Sequence, residues 1–600
     1  PRNSPLVSQS VTNGPYDTTQ ISTIERIQAQ VEDGEISGDG RVRELSMSLA
    51  DGVSPDFLSF SSDLYMNGGY LALFDNNVIV ENNFHLPPVI TDISNEGGTR
   101  WKYRAVYEWI DDNGNLHRSE PSAFVVTDTD PTVGTGTDLE VLAPIVTGKN
   151  AHDVSVAVYR TEDAGDVYYR VSRLTPPVYP VAPADDDEDN RHMNPNVLGE
   201  TLDFVDVLSD TDIIGNEILY TTGGVLSNVS PPSMNVMTEH DGRIFGAGLD
   251  NPNVIYYSKI KRPNTSVEFS ELLTIDVPPE GGSITGLNSL DGNLIIFKED
   301  KVYRMYGEGP ADTGANSNYS RPTLISSSHG AVTDKAIINT IYGIIFRGTD
   351  GGIYLLDRSL VFKYIGAPVE DSNDLAIVHA TNLGVDNEVR FILENGEALV
   401  YNYWFQQWSR FTNHTSVDST VWQDKFVMAR VDDAKGIWVQ DRTSYLDITE
   451  PIFLDVETAW IKLAGIKGFQ RCNWLSILGE QTDAHDVEVS LYRDYDVDPV
   501  ETFTVDGADI FKLHVYGDPA CGAYGDPLCG PYGWPGDDVY QWRHKPRIQK
   551  CESIKLSIKD KAEISGVYNP NIATNFSLKN VTLYIGVKKG QFKLPERKTV

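Results

Sequence analysis

Cysteine is the residue type in this chain best suited to metal binding or covalent chemistry, and the chain has four cysteines, Cys472, Cys521, Cys529 and Cys551. Cys521 and Cys529 lie in consecutive copies of an eight-residue repeat, YGDPACGA and YGDPLCGP, with His514 and His544 nearby. Zinc sites usually place paired Cys ligands about two to four residues apart, and these two are further apart. The spacing therefore favours a structural loop with two incidental thiols. A metal site and a Cys521–Cys529 disulfide remain alternatives.

Two acidic turns begin like calcium-binding loops. In the run Asp494–Asp498, Pro499 stands where an EF-hand needs glycine, and Val505 stands where it needs the bidentate glutamate. The run Asp111–Asn115 departs from the pattern in the same way, with Leu116 at the glycine position. A calcium site of another geometry stays an alternative. The sequence assigns no catalytic, cofactor-binding or metal-binding residue.

Motifs of the common hydrolases and nucleotide-binding enzymes are missing from the sequence. It contains no G-x-S-x-G, no H-E-x-x-H and no G-x-x-x-x-G-K-[ST]. Carboxylates are so frequent that a pair suited to glycoside cleavage cannot be singled out by spacing. We therefore predict a protein that is not an enzyme and uses no cofactor.

An aromatic run, Tyr401–Trp408 (YNYWFQQW), has two interpretations. Exposed aromatic rings could form a platform for a sugar. Aromatic residues on closely spaced strands more often pack between neighbouring sheets. We favour packing for this run.

The charge of the chain limits its partners. The 600 residues include 49 Lys and Arg against 86 Asp and Glu, a net charge of −37. Tight nucleic-acid binding relies on basic side chains that neutralise phosphates. The acidity is therefore suited to a conduit along which DNA slides without being held, or serves solubility alone. No apolar run is long enough for a membrane-spanning helix, which needs about 20 residues.

Short runs with strand-like alternation dominate the sequence, so we predict an all-β fold. The only helix-like segment is Thr19–Val31. A polar turn followed by an apolar strand recurs at intervals of roughly 35–50 residues, which is typical of the blades of a β-propeller. The recurring units are Asp241–Gly246, Asp291–Phe297, Tyr342–Phe346, Asn387–Ile392 and Gln423–Met428, and a similar unit occurs earlier, at Asn67–Val80.

The regions around these repeats complete the predicted organisation. Aromatic residues alternate along Trp101–Trp109, and a hairpin pattern covers Val154–Leu174 with an acidic loop at Asp185–Asp189 behind it. This pattern is typical of a fibronectin type III-like β-sandwich inserted into the propeller. We predict an N-terminal segment with the first propeller strands at 1–90, the inserted sandwich at 91–222, the propeller at 223–447, and a C-terminal β-rich domain with the Gly/Pro octapeptide loop at 448–600.

Several segments resemble proteins of one family. Val254–Ser258, Gly292–Lys298 and Gly348–Leu355 are similar to the propeller of the tail nozzle proteins of short-tailed phages, the tail tubular protein B type. Trp460–Gly479 and Leu583–Val600 are similar to the C-terminal part of such proteins. The resemblance covers roughly residues 223–600.

The resemblance implies a structural role in the virion tail, after assembly in the host cytoplasm. A protein of this family is expected to form a hexameric ring that encloses a channel for DNA ejection and offers docking surface to an adaptor protein and to tail fibres. Double-stranded DNA is expected to pass without specific binding. Two alternatives remain: a receptor- or glycan-binding adhesin on a propeller scaffold, and a propeller glycosidase.

Overall fold

The computed structural model describes most of the chain from residue 56 onward. The described residues are 56–67, 69–172, 195, 197–248, 251–430, 436–441, 446–447, 450–464, 468–481, 486–506, 538–547, 550–561, 563–564, 567–568 and 576–588. Three predicted features lie outside these residues: the helix at Thr19–Val31, the acidic loop at Asp185–Asp189, and the octapeptide repeat up to Asp537 with its two cysteines.

The chain forms two compact units, Pro1–Val439 and Gln440–Val600, divided slightly before the boundary predicted at 447. In the described residues of both units the strands of every sheet are antiparallel, and helix is scarce, which confirms the predicted all-β fold. Among the described residues the helical segments are short. They are the helix α1 (Asp210–Ile213) and three 3-10 turns, Ala151–Asp153, Asp334–Ala336 and Ala367–Ser372.

The described part of the first unit begins with a four-stranded meander, which we call repeat sheet I. The two sheets of the inserted region follow it. Repeat sheet I contains β1 (Phe57–Phe60), β2 (Asp63–Met66), β3 (Ala72–Phe74) and β4 (Ile79–Glu81). The inserted strands are β5 (Val89–Ile93), β6 (Glu96–Ile110), β7 (Leu116–Arg118), β8 (Val125–Thr127), β9 (Thr137–Leu142), β10 (Val154–Thr161), β11 (Tyr168–Arg170) and β12 (Thr201–Asp206).

The inserted strands form a five-stranded sheet, β11-β10-β6-β7 with β8 also on β6, and a three-stranded sheet, β12-β9-β5. Alternate residues of β6, such as Tyr103 and Tyr107, share a core with Val141 of β9 and Phe204 of β12. The predicted aromatic face of this strand is therefore buried between two sheets. Its likeness to fibronectin type III domains remains a prediction.

Five further repeat sheets, II to VI, complete the first unit. Each is an antiparallel meander in chain order. Sheet II contains β13 (Val236–His240), β14 (Arg243–Ala247), β15 (Val254–Ser258) and β16 (Phe269–Asp276). Sheet III contains β17 (Ile284–Leu290), β18 (Asn293–Lys298), β19 (Val302–Tyr306) and β20 (Thr323–Ser326). Sheet IV contains β21 (Ile337–Thr340), β22 (Gly343–Arg347), β23 (Ile353–Asp357) and β24 (Phe362–Tyr364).

Sheet V contains β25 (Ile377–Leu383), β26 (Glu388–Leu393), β27 (Ala398–Asn402) and β28 (Gln407–Phe411). Sheet VI contains β29 (Ser416–Trp422), β30 (Lys425–Arg430) and β31 (Gly436–Val439).

Turn residues that tolerate a left-handed backbone separate the first two strands of repeat sheets II and III. Asp241 and Gly242 have φ angles of 52° and 68°, and Asp291 and Gly292 have φ angles of 48° and 73°. Two consecutive positive φ angles define the two-residue hairpin turn whose twist matches the flanking strands. The aspartate-glycine pairs in the sequence therefore mark these hairpins correctly.

The first strands of the repeat sheets contact one another in chain order, from β1 through β13, β17, β21 and β25 to β29. Apolar side chains fill the space between consecutive sheets. Phe297 of sheet III and Phe346 of sheet IV, for example, have ring centroids 5.0 Å apart. Sheets II to V thus each pack against a neighbouring repeat sheet on both faces, and the array is propeller-like.

The second unit contains two larger sheets that share one core. The described strands of this unit are β32 (Leu446–Asp447), β33 (Glu450–Pro451), β34 (Asp455–Glu457), β35 (Phe469–Gln481), β36 (Asp486–Arg493), β37 (Glu501–Val505), β38 (Asp538–His544), β39 (Ile554–Lys561), β40 (Glu563–Ile564), β41 (Val567–Tyr568) and β42 (Phe576–Lys588). The four-stranded sheet has the order β34-β39-β36-β37 and the three-stranded sheet the order β38-β35-β42.

Candidate functional site

The aromatic run at the β27–β28 hairpin divides into a packed part and an exposed part. Tyr401 and Tyr403 are buried, and the ring of Trp408 lies 4.7 Å from that of Tyr401. The indole N–H of Trp408 donates to the backbone oxygen of Ile365 at 2.8 Å. For these three aromatic residues the structure agrees with the packing interpretation.

Trp404 and Phe405 form the exposed part. Their exposed fractions are 62% and 70%. The side-chain oxygen of Asn402 accepts the backbone N–H groups of both residues, at 3.1 and 3.0 Å. The turn is thereby held in place by local hydrogen bonds, and it presents two adjacent aromatic side chains to solvent.

A cleft of about 530 Å³ lies beside this turn, between sheets IV and V. This volume is within the range of small-molecule sites, which are about 300–1,000 Å³. The cleft is lined by Thr340, Ile341, Tyr342, Ile345, Leu355, Asp357, Arg358, Ser359, Lys363, Ile365, Tyr401, Tyr403 and Gln406.

The polar groups of the cleft are partly held by one another. The ammonium of Lys363 lies 2.9 Å from a carboxylate oxygen of Asp357. The guanidinium Nε of Arg358 donates to the backbone oxygen of Ile341 at 2.7 Å. Burial raises the pKa of Tyr403, so its phenol stays protonated at neutral pH. The cleft thus combines aromatic walls with hydrogen-bonding and charged groups, a combination suited to a sugar.

The acidic turn at Asp111–Asn115 joins the inserted region to repeat sheet I. A carboxylate oxygen of Asp111 accepts the backbone N–H groups of Asn113 and Asn115, at 3.0 and 2.7 Å. The side-chain amide of Asn113 donates to Asp63 of β2 at 2.6 Å. In the part of the chain that the structure describes, no group of three or more His, Cys, Asp or Glu residues is placed to hold a metal ion.

The second acidic turn also makes local hydrogen bonds. A carboxylate oxygen of Asp494 accepts the backbone N–H of Ser553 at 3.3 Å, next to the start of β39. The ring of Tyr495 lies 4.9 Å from that of Trp460. The contacts of Asp494 and Tyr495 connect this turn to neighbouring segments of the second unit.

The two described cysteines are buried in the second unit. Burial raises the pKa of Cys472 to about 11 and that of Cys551 to about 12. The thiol of Cys551 donates to the backbone oxygen of Gln470 at 3.4 Å. A thiol reacts as its thiolate, so both residues are suited to packing at neutral pH.

A buried ion pair that the sequence analysis missed lies where the inserted region meets β4. The ammonium of Lys149 is 2.7 Å from a carboxylate oxygen of Glu81, and both side chains are almost fully buried. The same ammonium donates to the backbone oxygens of Glu81 and Asn83, at 2.8 and 2.5 Å. Burial opposes the charged form of Glu81, but Lys149, Thr147 and Gly148 together lower its pKa.

A second buried cation connects the two sheets of the inserted region. The guanidinium of Arg160 on β10 donates to Asp206 on β12 at 2.9 Å, and its other terminal nitrogen donates to Asp210 at 3.0 Å. The phenol of Tyr103 on β6 donates to the same carboxylate of Asp206 at 2.9 Å. The buried guanidinium of Arg160 therefore connects the two sheets of the inserted region and helps to fix the distance between them.

A buried cation is also the last residue of the second strand in three repeat sheets, namely III, IV and VI. The ammonium of Lys298 donates to the backbone oxygen of Pro278, in the connection between sheets II and III, at 2.7 Å. Arg347 donates to the backbone oxygen of Leu375, in the connection between sheets IV and V, at 3.1 Å. Arg430 binds the connection before sheet VI in the same manner. These cations satisfy carbonyl groups of the connections that join one sheet to the next.

Comparisons with known proteins identify no family for this chain. No family profile matches it, and no curated protein is similar to it in sequence. Among solved structures, apo AztD from Citrobacter koseri has 13% sequence identity and a TM-score of 0.23, over 57% of this chain and 92% of that one. BBS1N in complex with ARL6DN has 13% identity and a TM-score of 0.24, over 65% of this chain and 94% of that one.

Among the described residues, no helix has the length and apolar character needed to cross a membrane.

Proposed function

We propose that this chain is a structural subunit of a virus particle, of the tail nozzle type that its sequence resembles. The observation that carries the proposal is the use of buried charge in the first unit. Lys298, Arg347 and Arg430 are buried, and each donates to the connection between one repeat sheet and the next. Fixed spacing between repeated sheets is what a subunit needs when it must fit identical neighbours in a closed assembly.

In this proposal, repeat sheets I to VI close into a β-propeller from which the inserted region projects. The successive contacts between first strands support this arrangement, because the innermost strands of propeller blades surround one axis. The closing contact would join β29 to β1.

The proposed assembly is a hexameric ring around a channel for DNA. The net charge of −37 per chain supports a conduit that repels the phosphate backbone, so that DNA passes without being held. The adaptor protein and the tail fibres would bind to the outside of the ring. The protein would reside in the virion tail and would not act as an enzyme.

Sedimentation velocity and negative-stain electron microscopy of the purified chain test this proposal. We expect a ring of about six copies, and labelled antibodies should place it at the tail tip of the intact particle. A chain that stays monomeric at every concentration and that is missing from the particle would contradict the proposed function.

The cleft between sheets IV and V favours a second candidate, a glycan-binding virion protein. Trp404 and Phe405 stand exposed beside the cleft, and Tyr342, 42% exposed, lies on its wall. Sugars bind by stacking on aromatic rings while charged and amide side chains accept and donate to their hydroxyls. Gln406 and Lys363 would supply those polar contacts.

A glycan array with the full chain separates the two candidates. Specific binding that is lost in Trp404→Ala and in Tyr342→Ala would favour glycan recognition. Tyr306→Ala is the matched control, because Tyr306 is a half-exposed tyrosine on sheet III, outside the cleft. If no glycan binds specifically, the structural role is the one candidate of the two that remains.

A further inference from the structure

The charge of the chain is distributed unevenly along its length. Residues 540–600 contain 13 Lys and Arg against 4 Asp and Glu, whereas residues 1–439 contain 30 against 63. The last tenth of an acidic chain is therefore basic. Oppositely charged surfaces attract over a distance of roughly 10 Å at moderate salt concentration.

Part of this basic segment lies on one side of a pair of exposed aromatic residues on the three-stranded sheet of the second unit. Trp474 on β35 and Tyr584 on β42 are register partners, with exposed fractions of 47% and 50%. The ammonium of Lys545 lies 5.9 Å from the ring centre of Trp474, and Arg543 is exposed on β38. We call these four residues the cationic sheet end.

The strand β42 adjoins the cationic sheet end. It has 13 residues and pairs with β35 along its length. Within the described residues, it is an edge strand, because no strand pairs with its other side. A strand of this length extends about 40 Å, and the N–H and C=O groups at the edge of a sheet readily pair with another chain.

We propose that the cationic sheet end and the adjoining edge of β42 bind the acidic first unit of a second copy of this chain. This contact rests on the proposed ring-forming function and names the surface that would build the ring. The partner is identified by its charge, because the first unit carries twice as many acidic as basic side chains.

The geometry also determines what kind of assembly results. The two surfaces are different, one basic on the second unit and one acidic on the first, so the contact is head-to-tail. Contacts of this kind close into rings or extend into filaments. Trp474 and Tyr584 supply the large aromatic side chains that usually dominate the binding energy at the centre of an interface.

Charge reversal in the full-length chain tests the contact. The double variant Arg543→Glu/Lys545→Glu should weaken self-association by on the order of tenfold or more, measured by sedimentation velocity at 0.05 M NaCl. The charge-conserving variant Arg543→Lys/Lys545→Arg should assemble like the wild type. Lys559→Glu is the control, since Lys559 is an exposed basic residue on the other sheet of the second unit.

Two further measurements sharpen the test. Raising NaCl from about 0.05 to 0.5 M should weaken the self-association of the wild type. The residual self-association of the charge-reversed variant should change little over the same range of salt. Trp474→Ala keeps every charge, so it should weaken association while leaving the salt dependence in place.

The outcomes distinguish failure of this contact from failure of the proposed function. If the charge-reversed variant forms rings as the wild type does, the cationic sheet end is not the ring contact, and the proposed ring itself stands. If the wild type is monomeric at every concentration and salt level, the ring and this contact both fail. If random duplex DNA binds the wild type but not the reversed variant, while self-association is unchanged, the surface binds nucleic acid and the proposal is overturned.

Discussion

Cations in the two units of this chain illustrate opposite uses of charge. In the first unit, Lys149 and Arg160 are buried against carboxylates and backbone oxygens. In the second unit, Arg543 and Lys545 remain exposed, and Lys545 lies over the ring of Trp474. A buried charge holds parts of one molecule in a fixed geometry, because leaving it without partners costs several kcal/mol. An exposed charge contributes little to folding and stays available to another molecule.

The largest expected effect comes from breaking the buried pair in the first unit. Lys149→Met should lower the free energy of unfolding by about 3–5 kcal/mol, because the Glu81 carboxylate would remain buried without its cation. Chemical denaturation followed by tryptophan fluorescence would measure the loss. The double variant Lys149→Met/Glu81→Leu should recover much of the stability. A loss below about 1 kcal/mol in the single variant would contradict our view of this pair.

The β27–β28 hairpin offers the same comparison between buried and exposed groups within a few residues. Trp408→Ala should lower the free energy of unfolding by about 2 kcal/mol. The variant loses the packing of the indole ring on Tyr401 and the hydrogen bond from the indole N–H to the backbone oxygen of Ile365. Trp404→Ala should change the unfolding free energy by less than about 0.5 kcal/mol. Thermal unfolding of both variants checks the contrast, and equal losses would show that the run acts as one packed unit.

A partly buried carboxyl in the first unit, that of Asp56, predicts a pH dependence of stability. Burial and the nearby charge of Asp334 raise the pKa of Asp56 from 3.8 to about 7. The folded state then binds a proton more tightly than the unfolded state does, so this group's stabilising contribution is full below about pH 4 and is lost as the pH rises toward 7.

Asp56→Asn tests that dependence. The variant should exceed the wild type in melting temperature at pH 8 and should differ little from it at pH 4. Comparing the two proteins at each pH removes the contribution of His379, whose pKa burial lowers to about 4 in both. A melting-temperature difference that does not change between pH 4 and pH 8 would show that Asp56 does not titrate in this range.

The smallest effect is expected at the exposed basic side chains of the second unit. Lys545→Glu should change the unfolding free energy of the chain by no more than about 0.5 kcal/mol, although we expect it to weaken self-association. Differential scanning calorimetry at low protein concentration would check this. A loss comparable to that of Lys149→Met would mean that Lys545 supports the fold of its own unit.

Local features were predictable from the sequence because they depend on neighbouring residues. Aspartate-glycine pairs such as Asp241-Gly242 adopt left-handed backbone angles at low cost, so they marked hairpins. Alternation along Trp101–Trp109 marked a strand with a buried face. In the aromatic run, the sequence indicated packing and could not tell that Trp404 and Phe405 would remain exposed.

The long-range contacts were decided only by the tertiary structure. Glu81 and Lys149 lie far apart in the chain, and neither stands in a pattern that names its partner. The excess of basic residues from position 540 onward was countable in the sequence, but the placement of Lys545 over Trp474 required the pairing of β35 with β38. By itself the sequence determined the strand character, the turns and the total charge, because these follow from residue type and local spacing. Which charges are buried and which stay exposed depends on the packing of distant segments, and only the folded chain determines that packing.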